Sequence, residues 1–367
     1  MPKLPDMSKR IFCYIIIFIL VFYTGNSCVR DLNQSSSTED LVIYPPPPDT
    51  TRIQYLTSVS ISSDIKGKQS AVNKFIFGEQ IPKPVIKPYG LTSSGSKVYV
   101  CDTGIGGVII IDPSDKSFEY FVPTGKGKLQ LPLNASIDEN GFIFIADGNR
   151  RQIVVFSNDL KYITEFGETT ETFKPTDVNI KGDKVFVVSV KDQKIFVYDK
   201  NTYKESVSFP SVEPGDDGYL YQPTNIVVDE KHVYVSDIGD NKVKVFTLDG
   251  VYVRSVGGYG TYAGQLMRPK GVAVDLEENL YVVDAAFENA QIFNSRGNVL
   301  MSFGGPYRTH GDMWLPVDVS ISYTGLEYYN RFVDPSSILK YLIFVTNQYG
   351  PDKISVYGFV ETKNMRR

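Results

Sequence analysis

Arg268-Pro269-Lys270-Gly271-Val272-Ala273-Val274-Asp275, followed closely by Leu280-Tyr281-Val282-Val283-Asp284, is one copy of a phrase that the chain repeats. The phrase is a proline, a β-run, and then a second β-run ending in an acid or a small polar residue. Its prolines are Pro88, Pro132, Pro175, Pro223, Pro269 and Pro316, spaced 43 to 48 residues apart. The second runs end at Asp102, Asp147, Ser189, Asp237, Asp284 and Asn347, and each is followed by a further run such as Gln152–Phe156 or Lys242–Phe246. A period of 40 to 50 residues carrying several short strands specifies a β-propeller blade. The chain is therefore expected to be all-β, a single six-bladed propeller. Its 367 residues form one unit because a blade buries its apolar faces only against its neighbours.

The sixth repeat supplies only three runs before the chain nearly ends. Upstream, Arg52-Ile53-Gln54-Tyr55-Leu56-Thr57-Ser58-Val59 reads like the outer run Val251–Val256 of another repeat. The N-terminal run is thus expected to complete the last blade, a closure that removes exposed sheet edges. The propeller is placed at residues 51–361, with a short tail at 362–367.

Residues 1–27 read as a targeting segment. Lys3, Lys9 and Arg10 precede an apolar run from Ile11 to Tyr23, then Thr24-Gly25-Asn26-Ser27. Thirteen apolar residues suit a signal-peptide core better than a bilayer span, the alternative being a short membrane anchor. Residues 28–50 are polar and end in Pro45-Pro46-Pro47-Pro48, a stiff extended stretch expected to act as a tether or as a strap along the outside of the propeller.

Charge excludes one class of partner. Lys and Arg number 38 against 42 Asp and Glu, giving a net charge of −4, and removal of residues 1–27 takes it to −6. Nucleic-acid binding, which needs basic patches, is not expected. Of three cysteines, Cys13 lies in the leader. Cys101 falls at a strand position where other repeats carry Ala146, Val188, Ser236, Val283 and Thr346, so it reads as a small buried residue. No disulfide framework is available.

The proline–glycine phrase and the Tyr-Val-x-Asp strands resemble NHL repeats, over roughly Lys87 to Phe359. The ends are similar to a group of exported bacterial six-bladed propeller lipoproteins of undefined activity, through Pro45–Pro48, Arg52–Leu56 and the terminal stretch Val345–Phe359. The resemblance implies an NHL-type propeller, and it implies lipidation at Cys28, directly after Ser27, with anchoring at the cell envelope. The place three before that cysteine, aliphatic in the lipoprotein pattern, holds Gly25, and ordinary signal-peptidase cleavage is the alternative. Some such bacteria are rich in multihaem cytochromes, but this chain has no Cys-x-x-Cys-His for covalent haem.

Within the family resemblance, peptide-amidating lyases hold zinc with histidines and a streptogramin-type lyase relies on one histidine. Here the histidines are His232 and His310, too few for a three-ligand zinc, although a histidine–carboxylate pair remains an option for acid–base work. No metal, cofactor or catalytic residue is expected. The strand-ending position, acidic in four repeats and Ser189 or Asn347 in the others, recurs in every repeat and reads as a turn cap rather than a cation ring.

Function is expected where the repetition fails. One place is the loop from Gly304 to Trp314, with Tyr307, Arg308, His310 and Trp314; another is the insertion between Ser322 and Lys340, with Tyr328, Tyr329 and Arg331; the third is the tether before Arg52. For Trp314 the reading leans towards packing between blades, and for the insertion a short helix covering the blade is the alternative. The expected function is a binding or scaffolding module at the cell envelope, its partner an unknown envelope protein or small ligand and its membrane contact a lipid anchor. The alternatives are a channel-site lyase or hydrolase, or an accessory partner of secreted electron-transfer proteins.

Overall fold

The computed structural model describes residues 41–167 and 172–363. The expected signal peptide, Cys28 and most of the tether lie outside the described residues. Each of the six prolines opens the innermost strand of a sheet, beginning with Pro88–Ser94, Pro132–Ile137 and Pro175–Lys181. Pro223–Val228, Pro269–Val274 and Pro316–Ser322 follow in the same way. In five blades the chain then meanders outward through three antiparallel strands, as in Lys97–Asp102, Gly107–Asp112 and Ser117–Phe121 of the first. The innermost strands contact one another in sequence, and the sixth meets the first, which makes a closed ring.

The last blade is completed as expected. Ile53–Val59 pairs antiparallel with Ile354–Thr362, which pairs with Ser337–Asn347. A further short strand, Ile43–Tyr44, adds to the outer edge of Ile53–Val59, so part of the 28–50 segment lies along the blade. The connection into the first blade carries two short helices, Ser62–Lys66 and Ala71–Phe77. Among the described residues no helix is long and apolar enough to cross a membrane.

The core consists of six hydrophobic clusters, one between each pair of neighbouring sheets. The cluster between blades two and three, for example, sets Phe144, Ile153 and Val155 against Val178, Val185 and Phe196. Both faces of a middle strand are covered by neighbours, so Ile143–Asp147 and Leu280–Asp284 are buried along their whole length. Cys101 is fully buried in this layer, its thiol pushed well up by desolvation.

The insertion after Ser322 forms a short helix, Leu326–Tyr329, and a single 3₁₀ turn, Asn330–Phe332. Tyr329 is buried between the last and first blades, where it meets Phe344 edge-on. Gln54 of the closing strand ties the insertion down: its amide nitrogen donates to Phe332 O, and its amide oxygen accepts from Asp334 N.

Candidate functional site

The second strands end opposite the prolines: Pro88 pairs with Asp102, Pro132 with Asp147, Pro223 with Asp237 and Pro269 with Asp284. A proline gives no N–H to the ladder, and the register slips just after it. The carboxylate fills the gap by accepting from the two N–H groups that precede the proline. Asp147 accepts from Gln130 N and Leu131 N at 2.6 and 3.0 Å, and Asp237 from Tyr221 N and Gln222 N at 2.8 and 2.7 Å. The same oxygens cap the turn that follows, as with Asn149 N and Arg150 N on Asp147. In the first five blades the backbone turns left-handed four residues after this position, at Gly106, Arg151, Gln193, Asn241 and Glu288. In blade three Ser189 takes the role, accepting from Lys174 N, and in blade six Asn347 accepts from Trp314 N. These residues are scaffold, occupied by the backbone they hold.

The axis is different. Two residues after each proline the innermost strands place Gly90, Asn134, Asp177, Asn225, Gly271 and Asp318 around the centre of the ring. The Asn134 amide donates to Asp318 Oδ2 at 3.0 Å, and Leu91 N donates to the same oxygen at 2.9 Å. Asn225 Nδ2 reaches Asp318 Oδ1 at 3.5 Å. Asp177 accepts from Val178 N and Ile226 N at 2.7 and 2.8 Å. The glycines make these cross-ring contacts possible. A Cβ on Gly90 would lie 2.3 Å from Asn134 Cγ, and one on Gly271 would lie 2.4 Å from Asp318 Cα.

Both axial carboxyl groups are buried, each 4% exposed. Desolvation pushes Asp318 up to about 7, and desolvation together with the charge of Asp318 raises Asp177 well above the carboxylate range. The two behave as one acid pair that retains a proton near neutrality. The Asn225 amide, 1% exposed, leaves its Oδ1 without a hydrogen-bond partner beside them. Among the described residues no three His, Cys, Asp or Glu side chains converge as a metal site; the axial set is two carboxyl groups and two amides.

Two small cavities lie near this polar plug. One, of about 140 Å³, is lined by Thr92, Asn179, Ser320 and the plug itself. The other, of about 110 Å³, lies at the proline ends of the strands and is lined by Tyr89, Arg268, Lys270 and Gln348.

The structure brings four of the sequence-chosen residues together on the loop before the last blade. Tyr307 and Trp314 stack, their ring centroids 5.8 Å apart at 25°. Trp314 is 46% exposed rather than packed between blades, and one face of its indole lies close to the backbone at Gly350. His310 Nδ1 lies 2.8 Å from Asp352 Oδ2, and the ring stacks on Tyr55. Asp352 is buried and also accepts from Ser58 Oγ at 2.8 Å, so the imidazole is oriented from beneath. The loop is held by Asp312, which accepts from Arg308 N and Thr309 N, and by Gly311 O, which accepts from the Tyr44 and Tyr357 hydroxyls. Arg308 projects from it, exposed.

Tyr328, Tyr329 and Arg331 stand apart from this group, beyond the opposite end of the Pro316–Ser322 strand. The Arg331 guanidinium packs on Tyr328 and Phe332, 4.0 and 4.6 Å from their ring centres, while Tyr329 faces the core. His232 opens a second strand and packs edge-on against Tyr234, far in sequence and topology from His310. Sequence reasoning missed Asp352 and Tyr55, which only blade closure brings to His310. It also missed the axial ring, although laying the six repeats over one another at the second place after proline gives Gly, Asn, Asp, Asn, Gly and Asp.

No family model matches the chain, and no curated relative matches it. Solved structures do. A protein of unknown function from Bacteroides thetaiotaomicron is similar with a TM-score of 0.57 and 14% identity, over 84% of this chain and 76% of that one. A catalytically inactive histidine-to-alanine variant of virginiamycin B lyase from Staphylococcus aureus, solved with quinupristin, gives a TM-score of 0.51 at 14% identity, over 75% of this chain and 95% of that one. A streptogramin B lyase gives 0.50 at 15% identity, over 74% and 82%. At such identities the likeness establishes the propeller fold and carries no activity across.

Proposed function

We propose that the chain is an exported binding module of the bacterial cell envelope, an NHL-type propeller lipid-anchored through Cys28. On this reading it grips a partner protein with the loop before its last blade. The observation that carries it is the Tyr307–Trp314 stack, an exposed indole on a half-buried tyrosine, on a loop fixed by Asp312 and Gly311. Large rigid aromatics beside an exposed arginine are the side chains that dominate protein interfaces, because they bury area at little entropic cost. The leader and the small residues before Cys28 support export and lipidation, and the proline–glycine and Tyr-Val-x-Asp phrases support the NHL assignment.

Affinity capture from envelope extracts with the wild-type chain and with a Tyr307→Ala/Trp314→Ala variant tests the reading. A partner retained by the first and lost by the second, at equal thermal stability, is expected. An identical set of captured proteins for both would remove the loop from the proposal. Mass spectrometry of the mature N-terminus is expected to find an acylated Cys28, and an unmodified terminus elsewhere would refute the anchor.

A second reading is enzymatic and rests on the 2.8 Å contact of His310 with a buried carboxylate. That arrangement fixes an imidazole for proton transfer. It lies on the last blade's loop, and neither axial cavity is lined by His310. Turnover of any small ligand that disappears in His310→Ala would favour this reading over the first.

A further inference from the structure

Blade five departs from its neighbours on both sides of its proline. The residues before the six prolines are Lys87, Leu131, Lys174, Gln222, Arg268 and Leu315; those after are Tyr89, Leu133, Thr176, Thr224, Lys270 and Val317. Only Pro269 has a cation on each side. Because the innermost strand starts there, both cations arrive at the axial mouth, on the rim of the cavity of about 110 Å³.

Neither is neutralised. Among the described residues the Arg268 side chain has no hydrogen bond or ion pair, and Lys270 Nζ has only Tyr89, donating to its hydroxyl at 3.5 Å and lying 5.9 Å from its ring centre. The contrast with the two most buried lysines is informative. Lys200, 7% exposed at its side chain, is paired with Asp138 and Glu139; Lys244, 3% exposed, is paired with Asp237 and Asp240. Where this fold covers an ammonium group it supplies two carboxylates, as desolvation of a cation demands. Lys270, half-buried, has none within 4 Å. Instead it has a second cation beside it, and desolvation together with Arg268 lowers its pKa to about 8, against a weaker pull from Asp318. A half-buried ammonium beside an exposed guanidinium, with Asp318 as its only opposing charge and not in contact, is an unfavourable arrangement that a bound anion would reverse.

We propose that the axial mouth formed by Arg268, Lys270, Tyr89 and Gln348 is a binding subsite for a small oxyanion, a carboxylate or phosphate group. The guanidinium supplies a planar fork, the ammonium a point charge, and the Tyr89 hydroxyl and Gln348 amide neutral donors. At about 30 Å³ per water, the cavity holds the volume of three or four waters. That fits an oxyanion head with few further atoms, the remainder of any larger ligand lying outside over the proline face. Ala285, Leu315 and Pro316 complete the wall and exclude water from one side of the charged pair. The subsite does not depend on export, on the anchor or on the aromatic loop.

The test uses the folded propeller with sodium phosphate and sodium acetate as probes and sodium chloride at matched ionic strength as the control. The expected result is a saturable rise in melting temperature with one or both oxyanions beyond that of chloride. In an Arg268→Gln/Lys270→Met variant the half-saturating concentration should increase at least tenfold. A larger response to phosphate assigns the head as phosphate, and a larger response to acetate assigns it as carboxylate. The second readout is the acylation rate of Lys270 at pH 8, followed by peptide mass spectrometry in the wild-type chain. The responding anion is expected to slow it severalfold while leaving the surface Lys66 unaffected. Responses equal to chloride, or a Lys270 acylation rate indifferent to both anions, would overturn the subsite.

Discussion

Replacing Asp318 with asparagine tests the acid pair at the axis, and the expected sign is a gain in stability. An aspartate titrates near 3.8 when solvated and near 7 at this buried position, so the folded chain holds a proton that the unfolded chain has lost. The group's contribution is fully present below about pH 4 and is lost as the pH rises through 7. A difference of about 3 pKa units corresponds to about 4 kcal/mol at 1.36 kcal/mol each, an upper bound because Asp177 shares the titration. In Asp318→Asn the side-chain oxygen still accepts from Leu91 N, and the new amide N–H takes the place facing Asn225 Nδ2, so a turn of the Asn225 amide brings its unpartnered Oδ1 round to accept from it. Removing the neighbouring charge also relaxes Asp177. Denaturant unfolding at pH 5 and pH 8, with equal m-values, measures the effect. The wild-type chain should lose stability between the two, and the variant should lose less, by up to about 2.7 kcal/mol, because only about 2 of the 3 units lie between pH 5 and the folded value near 7. Parallel losses in both chains would mean that Asp318 is ionised throughout and that the axial amides carry its charge, and the reasoning would fail.

Gly271→Ala should destabilise by about 1 to 3 kcal/mol, since the new methyl would lie 2.4 Å from Asp318 Cα and 2.6 Å from Val319 N, backbone atoms that cannot give way as a side-chain end could; an unchanged melting curve would contradict the crowded ring. Asp147→Ala removes the acceptor for four backbone N–H groups and should cost roughly 3 kcal/mol, whereas Asp147→Asn, which retains one oxygen, should cost less, both read by thermal unfolding. Trp314→Ala, at a site 46% exposed, should lower stability far less than Tyr329→Ala, which opens a cavity worth about 3 to 5 kcal/mol between the last and first blades.

The propeller was legible because its determinants are local and repeated. Proline fixes where each innermost strand starts, and the strand-ending acid answers the N–H groups before it; both are visible within one repeat. Blade closure was legible for the same reason, since Arg52–Val59 has the pattern of an outer strand with no blade of its own. The candidate site was less so. Tyr307, Arg308, His310 and Trp314 do share one loop, as their adjacency suggests, but the carboxylate that orients His310 lies 42 residues away, on a different loop of the sixth blade. Tyr329 looked like surface by composition and is core, because the insertion folds back onto Gln54 and the first blade.

The axial ring was hidden for a different physical reason. Regularity in a repeat reports what every blade must do, and turn capping is such a task. The centre of the ring is the one place where all six blades meet, so six copies of one side chain cannot fit there and the repeat has to vary. Gly90 and Gly271 yield space, Asn134 and Asn225 bridge, and Asp177 and Asp318 face each other; the set works only as a combination. Alternation of small and polar residues at a fixed place after proline is therefore the signal of an occupied axis, and the paired cations around Pro269 interrupt that same register one residue to either side. In a propeller, the positions that differ from blade to blade at constant phase are where a ring of equivalent strands becomes a particular site.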